Sequence, residues 1–276
     1  MCKEFAVTAT NEQPDIAMKT ETRTPAAPAA SRRAAYSLRL AKTPEDLQAA
    51  QRLRYEVFNL ELGEGLAQSH VTGLDEDAYD AYCDHLLVEQ EGTGEVVGTY
   101  RLQTGQLAAA HLGYYSEQEF DFAPFEPLRC ELVELGRACV HRDHRHVAVL
   151  SLLWRGIALY AIQRKARYLI GCSSLTSQDP ALGATTYGFF RDRGYLAESR
   201  FLTTPTAPFF CAMDEASADC PPPPKLLRTY LALGAKICGP PALDREFGTI
   251  DFLTLLDLHA LSDAAKGHFG ISDDDL

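Results

Sequence analysis

The chain has 276 residues, 46% of them hydrophobic and 23% charged, a globular balance that excludes collagenous, low-complexity and membrane-embedded classes. A formal charge of −12, from 26 basic and 38 acidic residues, argues against general nucleic-acid binding, which rests on neutralising phosphates with Lys and Arg. The eight cysteines form no Cys-x-x-Cys pair and no apolar signal core opens the chain, so reduced thiols and a cytoplasmic protein, at most peripheral on the inner face of the membrane, are expected.

Residues 1–34, rich in Thr, Ala, Pro and Lys/Arg without periodicity, read as a disordered tail. A strand is predicted near Tyr36–Ala41, then a helix from Pro44 to about Leu60, with Thr43 as its N-cap and Asp46 completing a capping box. The helix has an apolar stripe of Leu47, Ala50, Leu53, Val57 and Phe58, and Arg54 shares that side. An acidic loop follows; from Gly73 to Glu95 there are eight acidic residues and no Lys or Arg. His85–Glu91 and Glu95–Gln103 read as a hairpin around Gly92-Thr93-Gly94. The aromatics Tyr114, Tyr115, Phe120, Phe122 and Phe125 fit either core filling or the lining of an apolar tunnel.

Cys130–Val140 reads as a strand, Val147–Arg164 as a helix apolar nearly all round, and Tyr168–Ser173 as a buried strand. A helix over Ala181–Arg193 stops at Gly194, and past Pro221–Pro224 come a helix near Leu226–Leu233 and a strand near Ile250–Leu256. This organisation predicts one domain over residues 35–260, its 221–260 segment an extension packed on it, and an acidic tail at 261–276.

Three clusters carry candidate chemistry. Glu134 and Arg137 lie in an otherwise apolar strand, where unpaired charges are expensive, and strict alternation sends them to opposite faces unless a β-bulge, expected at Gly136, intervenes. A structural ion pair is the alternative reading. Arg101 on the neighbouring strand and Asp75, Asp77, Asp80 and Asp84 in the acidic loop complete a polar wall suited to a zwitterionic amino acid, Arg holding carboxylate and Asp or Glu holding ammonium. The loop lacks the glycine and closing Glu of an EF-hand, so no metal is expected there. Finally, Arg142, Arg145 and His146 precede the long helix, whose first amides can hold a phosphate. The segment Arg137–Arg167 carries seven basic residues against Asp143 alone, a net +6 that suits an anionic partner.

The ordered motifs Arg54-Tyr55-x-Val57-Phe58, Asp77-x-Tyr79-Asp80, Cys83-Asp84-His85-Leu86-Leu87-Val88, Val97-Gly98-Thr99-Tyr100-Arg101-Leu102, Tyr115-Ser116-x-x-Glu119-Phe120, Glu134-Leu135-Gly136-Arg137-x-Cys139-Val140 and Leu153-Trp154-x-Gly156-Ile157 resemble the ornithine-acyl carrier protein N-acyltransferases, also called hemolysin-like proteins. The resemblance runs from Arg54 to Phe252 and includes Pro241-Ala242-x-Asp244-x-x-Phe247. That family is similar to the acyl-homoserine lactone synthases, and both are variants of the GCN5-related N-acetyltransferase (GNAT) fold, an α/β architecture with a central mixed, mostly antiparallel sheet flanked by helices. The lactone synthases' Trp after the Val-Phe helix has no counterpart here, where Leu62-Gly63-Glu64-Gly65 follows.

The resemblance implies transfer of a 3-hydroxylated fatty acyl group from acyl carrier protein to the α-amine of ornithine, by direct attack on the thioester and with no tightly bound cofactor. It places Arg54, Phe58, Asp77 and Arg101 as substrate-binding positions and Glu134, Asp80 and Arg137 as catalytic ones, Glu134 being the first candidate base and Asp80 the alternative. Arg142, Arg145 and His146 replace the glycine-rich pyrophosphate loop of acetyltransferases, an arrangement suited to the single phosphate of the carrier's phosphopantetheine. The same resemblance leaves open a lactone synthase, an acyltransferase for another amine, and a non-catalytic regulator that binds the loaded carrier.

Overall fold

The computed structural model describes residues 35–214 and 222–272, so the expected tail at 1–34 and the acidic end 273–276 lie outside the described residues. Strands β1 (Tyr36–Leu40), β2 (Asp84–Gln90), β3 (Val96–Thr104), β4 (Leu132–Val140), β5 (Tyr168–Leu175), β6 (Lys236–Ile237), β7 (Ala242–Asp244) and β8 (Thr249–Asp257) form one sheet. Its order is β1-β2-β3-β4-β5-β8-β6, with β7 also on β8. Every pairing is antiparallel except β4 with β5. Helices α1 (Pro44–Tyr55), α2 (Ser69–Thr72), α3 (Gly105–Ala110), α4 (Val147–Gln163), α5 (Pro180–Asp192), α6 (Lys225–Ala232) and α7 (Asp263–Phe269) complete the fold.

Local chemistry accounts for the main elements. Thr43 and Asp46 make the expected capping box on α1. Beyond Tyr55 the helix widens into a π-helix over Glu56–Leu62, which ends at Gly63 with φ 69°. Helix α4 is apolar because it is the crossover between the two parallel strands and lies flat on the sheet, burying Val149, Leu153, Trp154 and Ile157. Alternation along β5 and β8 sorts the layers. Leu169 and Leu256 face α4 and α7, whereas Tyr168, Ile170, Leu253 and Leu255 face the aromatic segment of Tyr114, Phe120, Phe122 and Phe125. Those four aromatics fill core, whereas the fifth, Tyr115, lines the central cavity, so the segment divides between the two readings.

Two features open the sheet at its centre. First, β4 and β5 pair only at Leu132↔Tyr168, Val133↔Leu169 and Glu134↔Ile170, after which β5 continues on β8 alone. The strands therefore splay from Leu135 onward. Gly171 sits at the point of divergence, where a Cβ would lie 2.2 Å from the Leu135 carbonyl oxygen. Second, the β3–β4 register passes from Thr99↔Cys139 to Arg101↔Gly136, leaving one extra residue in β4. The bulge was expected at Gly136, but Gly136 keeps its partner and Arg137 takes the left-handed conformation at φ 49°. Such a conformation costs a non-glycine residue on the order of 1 kcal/mol, and the ion pairs of the Arg137 side chain offset it.

Helical packing continues past residue 260, the expected end of the domain. In α7, Ala265 and Phe269 are buried four residues apart, and Phe269 packs on Trp154 at 5.1 Å between ring centroids. An acidic composition around one short apolar pair concealed this helix.

Candidate active site

The residues singled out in α1, the acidic loop and the sheet do come together, as a buried ionic layer. Arg54 donates to both oxygens of Asp80 (3.0 and 2.6 Å), and its Nε lies 2.8 Å from Asp75 Oδ1. Arg101 Nη1 donates to both oxygens of Asp77 (2.6 and 2.7 Å) and to Asp80 (3.0 Å). Arg137 closes the layer, donating to Asp75 (3.2 Å) and Asp77 (2.9 Å) while its guanidinium stacks on Tyr115 and Phe247. Three arginines thus meet three aspartates, as a buried charge requires. Burial alone would raise the carboxyl of Asp80, but Arg54 and Arg101 outweigh it and hold Asp80 far below the usual carboxylate range. Asp84 stands apart, bonded to Tyr160 at 2.7 Å.

In front of this layer a cavity of about 350 Å³ passes through the β4–β5 opening. On the α1 side it is lined by Phe58, Arg101, Tyr115, Glu119, Glu134, Arg137 and Asp251. On the α4 side the lining turns apolar, with Trp154, Ile157, Leu169, Leu226, Leu256 and Phe269. Between the two ends run the backbone of Leu135–Ala138 on β4 and Gly171–Ser174 on β5, which no neighbouring strand covers from this gap. The cavity therefore offers a charged end, an apolar end, and free backbone groups where they meet.

Glu134 projects from the last paired position of β4 and accepts from Tyr115 N (2.8 Å), Ser116 N (2.8 Å) and Ser116 Oγ (2.6 Å). Burial raises its proton affinity despite these bonds. Cys172 Sγ lies 3.4 Å from Ser116 Oγ and 3.5 Å from Glu119. Burial and the neighbouring Glu119 carboxyl hold this thiol well above its ordinary pKa, and burial pushes Cys83 up to about 12, so neither is primed as a nucleophile.

Of the residues anticipated for substrate or catalysis, Phe58, Arg101, Glu134 and Arg137 line the cavity. Arg54, Asp77 and Asp80 do not; they stand behind its wall and fix Arg101 and Arg137. Arg142, Arg145 and His146 lie exposed at the start of α4, outside the lining, and Arg145 forms a two-point pair with Glu61 (2.6 and 2.8 Å). What sequence reasoning left without a role is a carboxylate trio. Ligand atoms of Glu119, Asp244 and Asp251 lie within 4.8 Å of one another, all three residues buried, on the cavity wall. Asp251 did carry a signal: it is the sole charge in the run Ile250–Leu256, the same anomaly that drew attention to Glu134.

A model of the acetyltransferase (GNAT) domain matches residues 53–155. The solved structure of TofI in a ternary complex with an inhibitor and MTA superposes with TM-score 0.50 at 16% identity, covering 87% of this chain and 99% of that one. FeeM, an N-acyl amino acid synthase from uncultured soil microbes, does so with TM-score 0.50 at 14% identity, over 85% and 99%. The sheet and these likenesses give the GNAT fold, with the mixed, mostly antiparallel sheet that the motifs imply. Among curated proteins, an L-ornithine N(alpha)-acyltransferase of Rhodobacter capsulatus is 32% identical over 241 residues, 83% of this chain and 92% of that protein. One of Agrobacterium fabrum is 31% identical over 248 residues, 84% of each. The chain belongs to the L-ornithine N(alpha)-acyltransferase family.

Proposed function

We propose that the protein transfers a 3-hydroxylated fatty acyl group from acyl carrier protein to the α-amine of L-ornithine, giving lyso-ornithine lipid. Membership of the ornithine acyltransferase family carries the reading, and the two-ended cavity supports it. The acyl chain occupies the apolar end near Trp154 and Phe269, where each buried methylene contributes about 0.8 kcal/mol. The amino acid occupies the charged end, its carboxylate toward Arg137. Glu134, directly or through water, takes the proton that the α-ammonium must lose before attack. The nitrogen then attacks the thioester carbonyl, and a backbone amide of Leu135–Ala138 stabilises the oxyanion. Collapse expels the carrier's thiol, with no acyl-enzyme; the raised pKa of Cys172 agrees with direct transfer.

Arg142, Arg145 and His146 receive the phosphate of the phosphopantetheine arm, and the basic segment around them orients the acidic carrier. The amphiphilic product brings the enzyme into transient contact with the membrane surface; among the described residues no helix is long and apolar enough to cross one. The test is mass spectrometry of the purified protein with 3-hydroxyacyl carrier protein or the matching acyl-coenzyme A and a panel of amino acids. Acyl-ornithine formed from the carrier is expected; loaded-carrier binding without any product would replace the reading with a regulator. Glu134→Gln should lower kcat by roughly 100-fold or more, and full activity in a folded variant would remove Glu134 as the base.

A further inference from the structure

Three buried carboxylates whose oxygens lie within 4.8 Å of each other, with no Lys or Arg among their hydrogen-bond partners in the described residues, leave an electrostatic account open. The arginines of the ionic layer are each engaged by Asp75, Asp77 or Asp80 instead. Asp244 Oδ1 accepts from the backbone amides of Glu246 and Phe247 (both 2.9 Å), which fixes the turn between β7 and β8. Thr249 Oγ1 donates to Asp251 Oδ2 at 2.9 Å. Asp251 Oδ1, in a residue only 3% exposed, makes no well-aligned hydrogen bond, the hydroxyl of Ser174 opposite it on β5 being a neutral donor to the carboxyl, and it lies on the cavity wall. An orphaned, desolvated carboxylate oxygen is costly unless a ligand completes it.

We infer that Glu119, Asp244 and Asp251 form the recognition site for the side-chain ammonium of a diamino acid, and so decide which of its two amines is acylated. The inference rests on the acyl-transfer reading above. An ammonium has three donors and one positive charge, which suits an orphaned acceptor flanked by two further carboxylates. The contacts also give a plausible span. Glu119 reaches Cys172, Cys172 reaches Ser116, and Ser116 donates to Glu134, so the trio sits two side chains away from the proposed base. The two nitrogens of extended ornithine are about 6 Å apart. Anchoring the distal nitrogen among carboxylates presents the α-nitrogen toward Glu134. The same anchoring keeps the distal amine protonated, because neighbouring anions favour the charged form, and a protonated amine has no lone pair for attack. Regiochemistry then follows from electrostatics.

Burial and the mutual repulsion with Asp251 and Asp244 raise Glu119 well above its ordinary pKa. A bound cation relieves that repulsion, and an ammonium does so with three directed N–H donors.

The experiment compares ornithine with norvaline, which has the same carbon chain and no distal amine, in the wild type and in Glu119→Gln and Asp251→Asn. The wild type should prefer ornithine by roughly 100-fold or more in kcat/KM. In the variants the preference should collapse mainly through the KM for ornithine. Calorimetry with ornithine and with 1,4-diaminobutane, which needs no acyl transfer, should show both ligands losing affinity in Asp251→Asn. An unchanged ornithine-to-norvaline ratio in folded variants would overturn the inference while leaving the acyltransferase reading intact. Saturable binding of Mg²⁺ or Mn²⁺, abolished by Asp251→Asn and required for ornithine acylation, would overturn it in favour of a metal site. Diamine binding that depends on Asp251 would support the recognition site even if no acyl product formed.

Discussion

Asp251 links the chemistry of the cavity to the stability of the fold. Burial raises its carboxyl from the ordinary 3.8 to about 6. Well below pH 3.8 the group is neutral in folded and unfolded chains alike; as pH rises from there toward 6 the unfolded chain releases the proton first, so the folded state loses stability through that window. The loss amounts to about 2–3 kcal/mol. Thermal melts of ligand-free wild type and Asp251→Asn should therefore converge toward about pH 3 and differ fully above about pH 6, the variant being the more stable. Melts that stay parallel over this range would mean that Asp251 does not titrate in the folded state. Arg54 presents the opposite case. Its removal strands Asp75 and Asp80 without their cation, and Arg54→Ala should cost about 3–5 kcal/mol of stability by denaturant titration. Cys172→Ala, by contrast, should keep catalysing acyl transfer, because burial and Glu119 disfavour its thiolate and the proposed direct attack passes no covalent step through it.

Among the elements, those with strong local signals were readable in advance. The capping box of α1, the β2–β3 hairpin and the apolar period of α4 depend on neighbours in the chain, and each stands where the pattern puts it. The position of the bulge was not, since glycine preference pointed to Gly136 while long-range ion pairs to Asp75 and Asp77 hold Arg137 in the strained conformation. The carboxylate trio was hidden for a related reason. Glu119 comes from a loop and Asp244 and Asp251 from β7 and β8, and only the placement of β8 beside β5 brings them into one cavity. Helix α7 escaped because seven residues with one aromatic carry little periodic signal, yet its Phe269 is 1% exposed. Phe269→Ala should destabilise the protein by about 3–5 kcal/mol. A change below 1 kcal/mol would show that α7 is an appendage and not part of the core.

For the whole molecule, the relevant charge is local. The net −12 repels an acidic carrier, and the +6 segment is itself partly neutralised, since Glu61, Asp84 and Asp257 pair with Arg145, Arg164 and Arg167. On the proposed function, encounter with a carrier relies on a small exposed patch around Arg142 and should weaken with salt. Raising NaCl from 50 to 500 mM should lower kcat/KM for the acyl carrier protein by roughly 10-fold while leaving that for a free acyl-pantetheine within 2-fold. Equal sensitivity of both donors would remove electrostatic steering from the account.

The opening between β4 and β5 has a consequence for turnover. On the proposed function, a molecule joined there is dumbbell-like, with its polar head on the α1 face of the sheet, its fatty tail on the α4 face and the new amide bond in the slot between. Such a product leaves by drawing one half through the gap, where the Gly171 backbone and the Leu135 carbonyl approach closely. Departure, more than bond formation, then becomes the slow event, visible as a burst of product in the first turnover, and an acceptor for the tail, such as a bilayer, would act as the release factor.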